Sequence, residues 1–120
     1  MLINLSNHPS AQWSEAQRTA AIAQFGAIHD LQFPSVPPEA TTEEVIQIAD
    51  DLALACRRLD TEYGPVSVMI AGEQCVMYHT VRYLKAAYFA CYAATSERKV
   101  VQKSATEKSI EFSFVQFRAI

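Results

Sequence analysis

Residues 1–33 have the sequence MLINLSNHPSAQWSEAQRTAAIAQFGAIHDLQF. An apolar segment, Leu2–Leu5, leads into a polar loop with a proline, and Ser14 then provides the capping residue of a helix. Gly26 is suited to end that helix, and residues 27–33 form a second strand-like segment. A strand, a helix and a strand in this order predict a helix that packs against a parallel sheet.

The same alternation continues through the middle of the chain. Thr41 and Glu44 predict the capping box of a second helix. We expect a third strand over 66–70, a third helix over 73–86 and a fourth strand over 89–95. Apolar residues recur at three- and four-residue steps along the second helix, as an amphipathic helix requires: Val45, Ile48, Ala49, Leu52, Cys56 and Leu59.

The end of the chain predicts an antiparallel hairpin. One strand is expected over Arg98–Lys103 and the other over Ile110–Ala119, with a turn near Ser104–Lys108. Alternate residues from Ile110 to Phe114 are apolar, so one face of this hairpin is expected to be apolar. We therefore predict an α/β fold: a single small Rossmann-like three-layer domain over residues 1–120, with a mainly parallel sheet and a C-terminal hairpin.

Composition limits the class of protein. The chain has 120 residues, of which 50% are hydrophobic and 19% charged, which suits one folded domain rather than a disordered chain. No apolar run approaches the roughly 20 residues that a membrane-spanning helix needs. The N-terminus lacks the basic region and apolar stretch of a signal peptide. We expect a cytoplasmic protein without membrane contact.

Charge is distributed unevenly along the chain. The net charge is −3, but residues 1–62 carry −6 and residues 63–120 carry +3. The overall sign argues against a general binder of duplex DNA. The C-terminal half either offers a local positive field to an anion or forms a mildly basic, solvated hairpin.

Several common catalytic and cofactor-binding motifs do not occur. The sequence has no G-x-G-x-x-G, no P-loop, no G-x-S-x-G and no C-x-x-C pattern. Cys56, Cys75 and Cys91 are widely spaced in apolar surroundings, and the three histidines form no zinc motif with them. We expect reduced cysteines in or near the core, no metal and no cofactor.

Polar clusters follow three of the predicted strands. Ligands of open α/β sheets bind beyond the carboxyl ends of the strands, where loop amides and helix N-termini converge. If the strands are adjacent and parallel, these clusters form one ligand-binding edge. The candidate residues are Ser6, Asn7 and His8 after the first strand, Gly72, Glu73 and Gln74 after the third, and Thr95, Ser96, Arg98 and Lys99 after the fourth.

Each cluster also has a purely structural interpretation. Ser and Asn commonly satisfy turn backbones, and His8 is alternatively an exposed loop histidine, a phosphate donor or a general acid or base. Glu73 is suited to complement a helix dipole. Arg98 and Lys99 are alternatively the charged edge of the hairpin, which prevents edge-to-edge pairing.

Two of these clusters carry a resemblance to a known family. The opening segment Leu2–Pro9, with Ser6, Asn7 and His8 closing the first strand, resembles small single-domain proteins of the CARF type. These are Rossmann-like sensors associated with type III CRISPR systems. The segment Thr95–Lys99 is similar in position to the Thr/Lys/Arg motif by which that superfamily grips a cyclic oligoadenylate.

The resemblance implies a homodimer that holds cyclic oligoadenylate across its two-fold axis. Free-standing members of this size are often ring nucleases, in which a ribose 2′-OH attacks the neighbouring phosphate without a metal. By this resemblance Ser6 and Asn7 bind phosphate or ribose, and His8 is the general acid. Arg98 and Lys99 stabilise the charge of the transition state.

Two other functions remain open at this stage. A non-catalytic sensor or sponge would bind the same ligand tightly without turnover. A Rossmann-like protein-interaction module would bind no nucleotide at all. A basic cleft at the strand ends favours the first two functions, and a cleft filled by side chains favours the third.

Overall fold

The computed structural model describes residues 1–120 as a five-stranded sheet with three α-helices. The elements are β1 (Leu2–Ser6), α1 (Glu15–Phe25), β2 (Ile28–Gln32), α2 (Thr42–Tyr63), β3 (Ser67–Ile70), α3 (Gln74–Ala86), β4 (Ala90–Gln102) and β5 (Lys108–Ala119), with a 3-10 turn at Ser10–Gln12. The strand order is β2-β1-β3-β4-β5. The first four strands are parallel and β5 is antiparallel to β4, which confirms the predicted α/β fold.

The helix starts lie where the sequence predicts them. The Ser14 hydroxyl accepts a hydrogen bond from the Gln17 backbone N–H at 3.2 Å. Both bonds of the capping box between Thr41 and Glu44 are present. Gly26 ends α1 with φ +88°, a conformation that L side chains rarely adopt.

Helices cover both faces of the sheet, as right-handed crossovers in opposite directions require. On the α1 side, a small core contains Leu2, Trp13, Ala21, Met69 and Phe117. On the α2–α3 side, the larger core surrounds Ile3, Leu5, Phe33, Val68, Ile70 and the buried faces of the two helices. Successive residues of each strand therefore point to different cores.

The predicted break after the fourth strand is wrong. Residues 90–102 form one continuous strand, so the segment Thr95–Lys99 lies within β4 instead of in a loop after it. The strand continues because β5 supplies a partner along its whole length. Thr95 pairs with Gln116 and Ser96 with Phe114, so the register shift leaves Val115 as the extra residue of a bulge in β5.

The distal part of the β4–β5 pair extends beyond the parallel sheet. Met69 of β3 pairs with Tyr92, and β3 ends one residue later, whereas β4 continues to Gln102. We call residues 96–102 and 108–114 the ribbon. With seven residues in each strand, the ribbon is about 23 Å long.

The C-terminal end of α3 lies at Ala86, where the sequence predicts it. The side chain of Tyr88, two residues beyond this end, is 97% exposed, and its φ is +66°. The helix ends at Ala86, so Tyr88 lies in the turn that leads to β4 and no longer follows the helical repeat. The fully buried residues of α3 are Val76, Thr80 and Leu84.

The three cysteines are all free, but they differ in accessibility. Cys56 and Cys91 are buried, as predicted, whereas Cys75 is exposed near the start of α3. None of the three α-helices has both the length and the apolar character that a membrane-spanning helix needs.

Candidate functional site at the carboxyl edge of the sheet

The loop after β1 is fixed by a network of hydrogen bonds. Asn4 is buried in β1, and its Nδ2 donates to the His8 carbonyl at 2.9 Å and to Asp30 Oδ1 at 3.0 Å. Ser6 Oγ donates to Asn4 Oδ1 at 2.7 Å and accepts from the His8 backbone N–H at 3.1 Å. Trp13 Nε1 donates to the His8 carbonyl at 3.0 Å. The backbone of His8 is therefore held on both its N–H and its C=O.

Asp30, the middle residue of β2, joins the same network. Its carboxylate accepts hydrogen bonds from the backbone N–H and the hydroxyl of Ser10 at 3.1–3.3 Å. Analysis of the sequence missed both Asn4 and Asp30 as site-building residues. An asparagine within the apolar segment Leu2–Leu5 was a usable signal, since a buried amide needs partners.

The network divides the first predicted cluster into two roles. The Ser6 hydroxyl is buried and engaged in the loop, so the structure gives Ser6 a positioning role. Asn7 and His8 are exposed at the edge. Asn7 Oδ1 accepts from Gln32 Nε2 at 3.4 Å, while the His8 imidazole forms no hydrogen bond. Asn7 and His8 are thus free to contact a ligand.

The second cluster lies at the start of α3, where Glu73 is the N-cap. Its carboxylate accepts from the backbone N–H groups of Cys75 at 3.0 Å and Val76 at 2.8 Å. These two hydrogen bonds hold the pKa of the Glu73 carboxyl below its usual value. A carboxylate already occupies the position where the helix N-terminus would bind an anion. The structure therefore gives Glu73 a capping role.

Gly72 also has a structural role. A Cβ at this position would lie 2.5–2.6 Å from three atoms of the Phe33 ring. Gly72 lets the turn between β3 and α3 lie against that ring. Gln74 is exposed at the first position of α3. Its side chain is the one in this cluster that remains available to a ligand.

The third cluster is split between the two faces of β4. Arg98 lies across from Phe112, on the same side of the sheet as α1. Lys99 points to the α2–α3 side, where it faces Glu111 across the strands and its Nζ lies 3.8 Å from Glu97 Oε2. One chain therefore cannot grip a single phosphate with Arg98 and Lys99 together, contrary to the sequence-based expectation.

The two remaining residues of this cluster follow the same alternation. Thr95 is on the α2–α3 side, and its Oγ1 donates to the Gln116 carbonyl at 3.2 Å. Ser96 is exposed on the α1 side, beside Arg98.

The two sides of the edge differ in charge. The α1 side presents Asn7, His8 and Arg98, and its one carboxylate beside the loop after β1, that of Asp30, is engaged by hydrogen bonds from Asn4 and Ser10. The α2–α3 side carries the carboxylates of Glu73 and Glu97 together with the single ammonium of Lys99, so the α1 side is the better place for a phosphate.

Strand register separates the β1 loop from Arg98. From the pairing of the strands, Ser6 is level with Ala94, and Arg98 is four residues further along β4. Relative to Ser6, Arg98 therefore lies about 13 Å further along the strand direction and about 10 Å away across the sheet. We call the α1 side of this edge, with Asn7, His8 and Arg98, the rim. It is open, and a single phosphate is too small to span it.

A separate groove lies elsewhere on the molecule. It has a volume of about 630 Å³ and runs along α3, where it is bounded by residues such as Met77, Tyr78 and Arg82 and by the C-terminal Ile120. Gln74 alone among the predicted site residues lines it. No group of three or more His, Cys, Asp or Glu side chains is assembled as a metal site.

These features define a small Rossmann-like α/β protein with an open polar rim at the carboxyl edge of a parallel sheet. Residues 1–118 match the family described as "Uncharacterized protein MJ1673 family", and the chain belongs to that family. No curated protein and no solved structure matches the chain. The family description carries no activity or ligand.

Proposed function

We propose that the protein binds a cyclic oligoadenylate on the rim formed by Asn7, His8 and Arg98, as a homodimer, and opens the ring as a metal-independent ring nuclease. The fold supports a ligand at this edge, because open α/β sheets bind ligands beyond the carboxyl ends of their strands. The resemblance of Leu2–Pro9 to CARF-type proteins supports the choice of ligand.

One observation carries the proposal. The backbone of His8 is fixed by hydrogen bonds from three side chains, while its imidazole points into solvent without a partner. Buried polar groups of Asn4 and Ser6 are devoted to this loop. A loop that only reverses the chain does not need such a network, whereas preorganised placement of a functional side chain does.

The reaction requires little covalent chemistry from the protein. A ribose 2′-oxygen attacks the adjacent phosphorus, its proton passes to water, and the bond from phosphorus to the 5′-oxygen breaks. His8 donates a proton to the leaving 5′-oxygen, and the products are a 2′,3′-cyclic phosphate and a 5′-hydroxyl on one linear chain. Arg98 stabilises the negative charge that grows on the phosphate oxygens.

The other candidates contribute in different ways under this proposal. Asn7 contacts phosphate or ribose directly, and Ser6 acts through the position of His8. Ser96 borders the rim on the α1 side, and Gln74, exposed at the start of α3, is available to a part of the ligand that extends across the edge. Gly72, Glu73, Thr95 and Lys99 shape the edge without facing the reacting phosphate.

A second function, binding without cleavage, is favoured by one specific observation. General acids are usually oriented by a hydrogen-bond partner, and the His8 imidazole has none. A sensor or sponge would use the same residues to bind the ligand and would release it unchanged.

The test is incubation of the pure protein with cyclic tetra- and hexa-adenylate, with and without EDTA. Products are separated by chromatography, and binding is measured by titration alongside. His8→Ala and Arg98→Ala are compared with His79→Ala, which lies along α3 away from the rim, and with Lys99→Ala, on the other face of β4.

Linear products that persist in EDTA support the ring nuclease. We then expect His8→Ala to lower the cleavage rate at least about 100-fold, because a positioned proton donor contributes that much. Arg98→Ala should weaken binding and cleavage, while the two control variants remain near wild type. Binding without products moves the assignment to a sensor or sponge. If the protein neither binds nor cleaves either ring, the proposed ligand is wrong.

A further inference from the structure

The ribbon is amphipathic. Its α1-side face exposes Val100, Ile110 and Phe112, which are 57%, 51% and 70% accessible. The acids Glu97 and Glu111 are on the opposite face. The complete α1-side face consists of Ser96, Arg98, Val100 and Gln102 from β4 and Lys108, Ile110, Phe112 and Phe114 from β5.

This apolar face continues from the core of the domain. The ring of Trp13 packs on Phe117 with centroids 6.2 Å apart, and Phe117 packs on Phe114 at 4.9 Å. Phe112 follows Phe114 on the same face of β5, and its side chain is largely exposed. This row of aromatic side chains therefore passes from a buried core onto an uncovered surface.

A two-stranded ribbon with both faces in water is only marginally stable. The alternation of apolar and charged residues along this ribbon is the pattern of strands with one buried and one solvated face. A partner that covers the apolar face would therefore stabilise the ribbon.

We propose that a second copy of this chain covers it, with the two ribbons packed face to face around a two-fold axis. Each face carries the apolar row Ile110, Phe112 and Phe114 and no acid, so the two rows match in an isologous contact. A net charge of −3 and only two cations on the face disfavour a polyanion or an anionic lipid surface as the permanent cover.

The area required sets the arrangement of the two copies. The overhanging ribbon is about 23 Å by 10 Å, which is small beside the roughly 800 Å² that each partner of a stable dimer buries. If the ribbons run antiparallel, each tip reaches the Phe114 and Phe117 end of the other copy and enlarges the contact. The two Phe112 side chains then lie near the axis.

The arrangement also bears on the rim. Arg98 lies on the contacting face, so the guanidinium groups of both copies approach the same region, where a bound anion would relieve their repulsion. This consequence rests on the proposed function. The interface itself does not, because it is tested with the protein alone.

The experiment is the mass of the protein in solution without ligand, measured by light scattering on a size-exclusion column at tens of micromolar. Phe112→Glu is compared with Ser113→Glu, the neighbouring residue on the opposite face. We expect wild type and Ser113→Glu at twice the chain mass of 13.4 kDa, and Phe112→Glu at the chain mass. A monomeric wild type, or a dimeric Phe112→Glu, would overturn the proposal.

A cross-linking arm keeps the test decisive if Phe112→Glu unfolds, which circular dichroism would show. In a Cys75→Ser background, a short bismaleimide should cross-link Phe112→Cys between two copies and should not cross-link Ser113→Cys, since the backbones of packed ribbons lie about 10 Å apart and residue 113 is on the outer face. Equal cross-linking of both variants, or cross-linking of neither, would overturn the interface. A ribbon dimer that binds no cyclic oligoadenylate would contradict the proposed function and leave the interface standing.

Discussion

Gly72, in the turn between β3 and α3, lies against the ring of Phe33, the residue that follows β2. Three atoms of that ring are 2.5–2.6 Å from where a Cβ of residue 72 would be. Phe33 is 1% exposed, and its backbone N–H donates to the Ser6 carbonyl at 3.2 Å. The ends of β1, β2 and β3 are thus joined directly beneath the candidate rim.

Gly72→Ala should therefore destabilise the protein by about 1–3 kcal/mol, because the added methyl group overpacks a buried aromatic ring. Unfolding in urea measures the change. Phe33→Leu serves as the second arm of a double-mutant cycle. In that background Gly72→Ala should cost less, and an equal cost in both backgrounds would show that the ring is not the obstacle.

The sequence predicts the fold well where the signals are local. Ser14, Thr41 and Glu44 lie at the helix starts that the structure contains, because capping depends on residues three positions apart. The break expected after residue 95 depends on a distant partner. Ser96 and Glu97 look like a turn, but pairing with β5 keeps them in the strand.

The candidate site was predicted in part, for a similar reason. The location at the strand ends follows from the topology, and Asn7, His8 and Arg98 are found on one side of that edge. The separation of Arg98 from Lys99 becomes visible once both are known to lie in one strand. The buried amide of Asn4 was overlooked because its partner Asp30 is 26 residues away.

Asn4→Ala is expected to destabilise the protein by about 1–3 kcal/mol, since it removes a buried amide whose partners then lack hydrogen bonds. Asn4 donates to His8 and Asp30 and accepts from Ser6. Hydrogen exchange of the His8 amide should become faster as the loop loosens. Asn7→Ala is the matched control, because the Asn7 side chain is exposed and should change neither quantity. Equal stability of the two variants would contradict a structural role for Asn4.

Glu73 should contribute to stability in a pH-dependent way. Hydrogen bonds from the backbone N–H groups of Val76 and Cys75 lower the pKa of its carboxyl below the ordinary 4.5. A lowered pKa in the folded state means that the contribution is complete above pH 4.5 and is lost as the pH falls through the folded-state value.

The matching measurement compares the melting temperatures of wild type and Glu73→Gln between pH 2 and pH 7. The variant should melt lower at pH 7, and the difference should shrink at the acidic end. Glu107→Gln, in the exposed ribbon turn, is the control and should show no such convergence. A difference between wild type and Glu73→Gln that is independent of pH would mean that the charge of Glu73 does not contribute to the cap.

Thiol reactivity should separate the three cysteines. Burial raises the pKa of Cys56 to about 12, and burial also raises the pKa of Cys91. Cys75 is exposed, but hydrogen bonding and charge from Glu73 raise the pKa of its thiol. At pH 8 we expect Ellman's reagent to modify one thiol per folded chain, and all three after unfolding.

The same assay tests the contact between Glu73 and Cys75. Glu73→Gln removes the carboxylate charge, so a larger fraction of Cys75 is thiolate at a given pH. The loss of nucleophilicity that accompanies a lower pKa only partly offsets this gain, and Cys75 should react faster. Cys75→Ser identifies the signal, because it should abolish the rapid phase. An unchanged rate in Glu73→Gln would show that the carboxylate does not hold the proton on the Cys75 sulfur, and rapid modification of Cys56 would show that the core opens on the timescale of the assay.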